Sequence, residues 1–191
     1  MSVRRINPRL LYNEKGFWAL MTKAEMLFAS SVGCHRNVQC LCEGWEAQAG
    51  MPACDTYSGH CESACGEMFI AMALDRYWEP NVGDPKKRDV AGVYEVRVNL
   101  SRQWTDMVVR PRDFEKLKGS DETPFISVLS FAPKFECMGW ILGKDAKRKE
   151  WWREGTKGRP PAWWVPAIAL LPMRTLPLPD RLLVARTLEE V

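Results

Sequence analysis

Four residues of this chain have the types and spacing of an oxygen-ligand metal site with a neighbouring cation. Glu67 opens a segment of helical period, Asp89 stands just ahead of an alternating segment, and Glu95 and Arg97 lie within that segment. Residues two apart on a strand point the same way, so Glu95 and Arg97 share a face opposite Tyr94, Val96 and Val98. Carboxylates so gathered hold Mg2+ or Mn2+, the metal polarises a phosphoryl group and activates water, and the cation stabilises the developing charge. The same spacing also describes an exposed strand face carrying an ion pair. The residues alone leave both readings open.

A second constellation is soft. Six of the seven cysteines fall between Cys34 and Cys65. Cys34, Cys40, Cys42, Cys54, Cys61 and Cys65, with His35 and His60, offer more than the four ligands of a structural Zn2+, a subset of them sufficing. Their spacing contains Cys40-x-Cys42 and Cys61-x-x-x-Cys65 but no C-x-x-C pair. Reduced thiols therefore remain an alternative, disulfides fit an intracellular chain least, and the spacing matches no usual iron–sulfur pattern. A zinc staple here would fix the start of the helix that carries Glu67.

Basic and aromatic residues form a third group. Lys86, Lys87 and Arg88 directly precede Asp89, and Lys144, Lys147 and Arg148 open a basic run with Trp151 and Trp152 in its middle. Such side chains contact phosphates and stack on unpaired bases, or else make a solvated surface with its Trp packed inward. The chain has no G-x-x-x-x-G-K-[ST] and no G-x-G-x-x-G, so no nucleotide fingerprint. Its two histidines both lie in the Cys-rich stretch, which leaves a His-based triad little to draw on. Cys137 paired with His60 is a remote candidate for a nucleophile.

These residues must be positioned by the elements around them. The 191 residues are 46% hydrophobic and 27% charged with a net charge of +3, which excludes a disordered chain and a strongly basic nucleic-acid coat. No apolar run reaches membrane-spanning length, and the basic start, residues 1–9, precedes no apolar signal core, so an intracellular, cytoplasmic protein with no membrane partner is expected. Spacings of three and four from Phe17 to Phe28 predict a helix from Gly16 to about Ser31, with Gly33 as its stop. Residues 33–65 read as an irregular Cys-rich insertion. A second helix is predicted from Gly66 to Trp78, and a strand over Val93–Asn99. Asp106–Arg110 is expected to follow as a hairpin partner. Pro124–Phe131 and Lys134–Leu142 are expected to pair around Ala132-Pro133, with a charged helix over 143–152, a short strand over 162–165 and a terminal helix over 180–191. Together these predict one domain over 1–191, mixed α/β, with a central mixed sheet flanked by helices.

With the elements in place, the chain resembles the PD-(D/E)XK, or restriction-endonuclease-like, nucleases, and in particular their phage and prophage members. The matching residues are Gly66-Glu67, Tyr77-Trp78, Asp89-Val90-Ala91-Gly92, Glu95-Val96-Arg97, Phe125 to Leu129, Gly139-Trp140-Ile141, Gly143-Lys144-Asp145-Ala146, Arg159-Pro160 and Trp164-Val165-Pro166. The resemblance implies a nuclease that hydrolyses phosphodiester bonds, with DNA ahead of RNA as substrate. It implies that Glu67, Asp89 and Glu95 bind Mg2+ or Mn2+ and that Arg97 occupies the position of a lysine that supports the attacking water. Arginine does not readily give up a proton, but it stabilises charge on phosphate. A nuclease fold without turnover, binding nucleic acid or protein through a zinc-stapled loop, is the alternative. Asp89 and Glu95, only six residues apart, leave little room for a strand and a turn, which predicts Asp89 on a loop.

Overall fold

The computed structural model describes residues 9–44, 53–82, 87–100, 104–116, 120–155 and 160–177. In chain order the elements are β1 (Leu11–Tyr12), β2 (Phe17–Leu20), α1 (Lys23–Cys42), α2 (Ala53–Leu74), β3 (Glu95–Asn99) and β4 (Met107–Val109). There follow α3 (Pro111–Lys116), β5 (Pro124–Phe131), β6 (Lys134–Leu142), α4 (Gly143–Ala146), β7 (Trp152–Arg153) and β8 (Ala162–Val165). Five strands form a mixed sheet in the order β1-β2-β6-β5-β3, and three form a second sheet, β4-β8-β7. β3 runs parallel to β5 and every other pairing is antiparallel. The fold is mixed α/β, as the order of elements predicts.

The first predicted helix begins too early. Phe17–Leu20 pairs with β6 as a strand, because a four-residue apolar run fits either period and here Phe17 and Ala19 point into the core. The helix starts only after Thr22, whose hydroxyl accepts from the Glu25 N–H while the Glu25 carboxylate accepts from the Thr22 N–H, a reciprocal cap. Arg9 adds two bonds to the same carboxylate, at 2.6 and 2.8 Å, and holds its pKa down at about 2.

Gly33 does not stop α1, which continues to Cys42. The glycine marks instead the place where α1 and α2 meet backbone to backbone: a Cβ there would lie 2.4 Å from Cys61 Cα. Gly33→Ala is therefore expected to force the helices apart and cost about 1–3 kcal/mol, read as a lower urea midpoint. The Cys-rich stretch is likewise no irregular insertion. Cys34, Cys40 and Cys42 lie on α1, and Cys54, Cys61 and Cys65 on α2, which begins thirteen residues before the predicted Gly66. Small and polar residues fill these turns, so no apolar stripe advertises them.

α2 lies on the large sheet. Phe69 and Ile70 join Val96, Ile126, Val128 and Phe135 in one core, and a Cβ on Gly66 would meet Val98 Cγ2 at 2.4 Å. On the other side Phe125 and Ile141 pack with Met107, Val109 and Val165 in a second core. β4 thus does not form the predicted hairpin with β3. It pairs with β8, and β3 pairs with β5, so both faces of β3 are covered. The predicted pair around Ala132-Pro133 is present as β5 and β6, and 162–165 is a strand. The charged helix over 143–152 is reduced to the single turn of α4 and a 3-10 turn over Lys149–Trp151, since few of its residues have an apolar face to bury. The predicted terminal helix lies outside the described residues. Among the described residues no helix is long and apolar enough to cross a membrane.

Candidate active site

Asp89 reaches β3 through a tight turn. Val90 and Tyr94 bond each other at both ends of it, 3.2 and 3.0 Å, while Ala91 and Gly92 take left-handed φ values of 54° and 66°. That turn resolves the six-residue separation. Asp89 sits on a bend, outside any strand, and its Oδ2 accepts from the Val96 N–H at 2.7 Å, one residue beyond Glu95. The segment after α2 holds this bend in place, with Glu79 N–H donating to the Asp89 carbonyl and Ala91 N–H to the Tyr77 carbonyl.

Glu67 arrives from α2 and is buried, at 5% exposure. Arg36 of α1 grips both its oxygens, at 2.6 and 2.7 Å, and Trp78 Nε1 donates to Oε2 at 3.2 Å. Glu95, at the start of β3, is 8% exposed. Its Oε1 pairs with Arg97 at 3.1 Å, and the same arginine nitrogen pairs with Asp113 of α3 at 3.1 Å. The Arg97 guanidinium also lies over the Phe125 ring, 5.4 Å from its centre. The structure thus brings together Glu67, Asp89, Glu95 and Arg97. Glu95 and Arg97 lie on a covered face of β3, so an exposed strand face is ruled out. Glu67 comes from α2 on the Val96 and Val98 side and acts on Asp89 and Glu95 through its charge.

Arg36 and Asp113 complete the cluster, and neither was visible in the sequence. Arg36 stands among the cysteines of α1 and Asp113 in a charged run, with no spacing that ties either to β3.

The electrostatics record burial of carboxylates first and repulsion between them second. Burial, and then repulsion from Glu67 and Glu95, raises the Asp89 pKa well above the carboxylate range. Burial pushes Glu95 up to about 7 against the pull of Arg97, with Asp113 and Glu67 adding repulsion. Burial opposes the charges of Arg36 and Arg97, but their carboxylate partners outweigh it and raise both pKa values. Glu95 Oε2, Arg97 Nε and Ser127 Oγ are buried without a hydrogen-bond partner, and Ser127 is the register partner of Arg97 on β5. Buried polar atoms are ordinarily paired, so these three leave hydrogen-bonding capacity unmet around β3. As they stand, no three His, Cys, Asp or Glu side chains among the described residues are poised to hold a metal ion. The donor chemistry nevertheless fits a hard divalent cation: carboxylate oxygens, one of them unpartnered, and repulsion between carboxylates that a cation relieves.

Against known proteins the chain matches no family model, no curated protein and no solved structure.

The remaining candidates scatter. Arg88 is buried and donates to Thr123 Oγ1 through Nε at 3.1 Å and Nη2 at 2.9 Å, which makes it an internal tie, not a surface contact. Lys86 lies outside the described residues. Lys87 pairs with Glu79 at 3.5 Å and Lys144 with Glu122 at 2.7 Å. Lys147 pairs with Asp121 and covers the ring of Phe114, which packs on Phe125 beneath Arg97. Arg148 stacks on Trp151, while Trp152 and Trp163 pack ring to ring at 4.7 Å.

Among the described side chains the thiols do not gather round one centre. Cys34 and Cys61 face each other across the helices with Cys65 a turn away, Cys40 and Cys42 lie at the far end of α1, and Cys54 is in the first turn of α2. The described side chains do not fit a tetrahedral zinc site. Burial lowers the His60 pKa, with Arg36 adding to it and Glu67 opposing. Cys137 is buried on β6 with its thiol pushed up to about 12, which makes it a core residue and no nucleophile.

Proposed function

We propose that the protein is a metal-dependent nuclease of restriction-endonuclease-like type, phage or prophage encoded and acting in the bacterial cytoplasm, which hydrolyses phosphodiester bonds of nucleic acid, DNA ahead of RNA. One observation carries this reading. Glu67, Asp89, Glu95 and Arg97 come from three separate segments and lie within electrostatic reach of one another, with the Glu95 Oε2 atom buried and unpartnered.

Glu67, Asp89 and Glu95 would hold Mg2+ or Mn2+. That cation supplies Lewis acidity toward the phosphoryl group and a nucleophile at neutral pH. The rest is the work of the chain itself. The Val96 N–H orients Asp89, and Arg97 orients Glu95 while offering positive charge to a phosphate, with Asp113 fixing the guanidinium. Arg36 holds Glu67 in place when no other cation does. Lys147, two rings away from Arg97, would contact a flanking phosphate on release from Asp121.

The test is cleavage of plasmid, linear and single-stranded DNA, and of RNA, with EDTA, Mg2+ or Mn2+, beside Glu95→Ala prepared identically. Metal-dependent cleavage that disappears in the variant is the expected result. A folded, metal-supplied protein that cuts none of these substrates sinks the proposal. A second reading, a nuclease-fold module that binds nucleic acid or protein without turnover, is favoured by the double engagement of Glu67 with Arg36. It requires salt-dependent DNA affinity that Glu95→Ala leaves unchanged.

A further inference from the structure

Where α1 crosses α2, two cysteines lie opposite each other. Cys34 Sγ and Cys61 Sγ are 3.9 Å apart, in van der Waals contact. The backbones touch one residue away, at Gly33 against Cys61, so no side chain props the helices apart. A disulfide requires sulfurs about 2.05 Å apart on closely approaching backbones. Bond formation therefore requires side-chain rotation at these two positions to close the difference. Neither sulfur is sealed in: both residues are half-buried, unlike Cys65 and Cys137, which are buried. Cys65 Sγ is engaged with Ser30 Oγ at 3.6 Å and faces the Met26 carbonyl at 3.9 Å, out of the pair.

We propose that Cys34 and Cys61 form a reversible disulfide site that reacts with low-molecular-weight disulfides such as oxidised glutathione. Tyr57 Oη lies 2.7 Å from Cys34 Sγ and, when that sulfur is a thiolate, can only be the donor. Cys34 is thereby the attacking sulfur. Its thiolate attacks one sulfur of glutathione disulfide, forming a mixed disulfide and releasing one glutathione thiolate. Cys61 then attacks Cys34 Sγ and displaces the second glutathione. Two electrons pass from the cysteines to glutathione, and the two cysteine protons end on the released glutathione thiols. Burial and the neighbouring Cys34 push the Cys61 thiol up to about 11, and capping Cys34 removes the second of these causes before Cys61 must react. The product ties α1, which carries Arg36, to α2, which carries Glu67.

The reduced, full-length protein is incubated with oxidised glutathione, the remaining thiols are alkylated, and peptides are mapped by mass. One dominant internal crosslink, Cys34 to Cys61, is expected, and with it a melting temperature raised by several degrees. Cys61→Ser should accumulate a glutathione adduct at Cys34, while Cys34→Ser should acquire neither adduct nor crosslink at Cys61. Cys137→Ser keeps the crosslink. A dominant crosslink through Cys40, Cys42 or Cys54, or no internal crosslink while thiols are oxidised in the same protein unfolded by urea, overturns the proposal.

Discussion

Arg36→Met is expected to lower the stability of the fold by about 3–5 kcal/mol, because it leaves the Glu67 carboxylate buried without its partner. The pair is well removed from water, with side-chain exposures of 15% and 7%, and its two bonds are parallel and short. Breaking such a pair from one side costs far more than the pair contributes, since the desolvated charge remains while its compensation is gone. The Trp78 N–H, 3.2 Å from that carboxylate, donates to it but does not neutralise it. Two controls separate this account from a general packing loss. Adding Glu67→Leu to Arg36→Met removes the stranded charge and is expected to recover most of the loss in urea melts. Adding Mg2+ or Mn2+ to the single variant is expected to raise its midpoint more than that of the parent protein, because a cation binding the folded state stabilises it by mass action. A single variant within about 1 kcal/mol of the parent would show that the pair is dispensable.

What the sequence made legible follows from how local each signal is. The alternation over 93–99 and the two apolar runs flanking Ala132-Pro133 are local signals, and the structure keeps them as β3, shortened to Glu95–Asn99, and the β5 and β6 pair. The cluster residues Glu67, Asp89, Glu95 and Arg97 could be chosen because three of them lie within nine residues and the fourth opens a visibly periodic segment. Their burial could not be read, since what covers β3 on its second side is β4 with β8, and α3, elements remote in sequence. Arg36 and Asp113 were hidden for the same reason. The helices at 33–65 were missed on another ground: their turns are held by contact between small residues such as Gly33 and the Cys61 backbone, and close approach leaves no apolar period behind. Arg88 misled in the opposite direction. A run of three basic residues reads as surface, yet the third is folded inward onto Thr123.

Arg97→Lys places at this position the residue that the proposed nuclease reading expects there, and for that reason it is the sharpest test of what the arginine does. If Arg97 were a stand-in for a lysine that assists water, the change should preserve or raise activity. The geometry leads to another result. One guanidinium bridges Glu95 and Asp113 at 3.1 Å each and lies over Phe125, 5.4 Å from its centre, a combination that a single ammonium on a flexible stem does not reproduce. Lysine can satisfy one carboxylate and leave the other buried with weakened compensation, so a loss of about 1–3 kcal/mol is expected in denaturant melts. Asp113→Asn made on top of Arg97→Lys removes the competing charge and should return much of that loss, whereas Asp113→Asn alone should not stabilise the parent. Cleavage by Arg97→Lys is expected to stay at or below the parent level. An Arg97→Lys protein as stable as the parent and more active would mean that the arginine is no bridge and that its position belongs to the water-activating group after all.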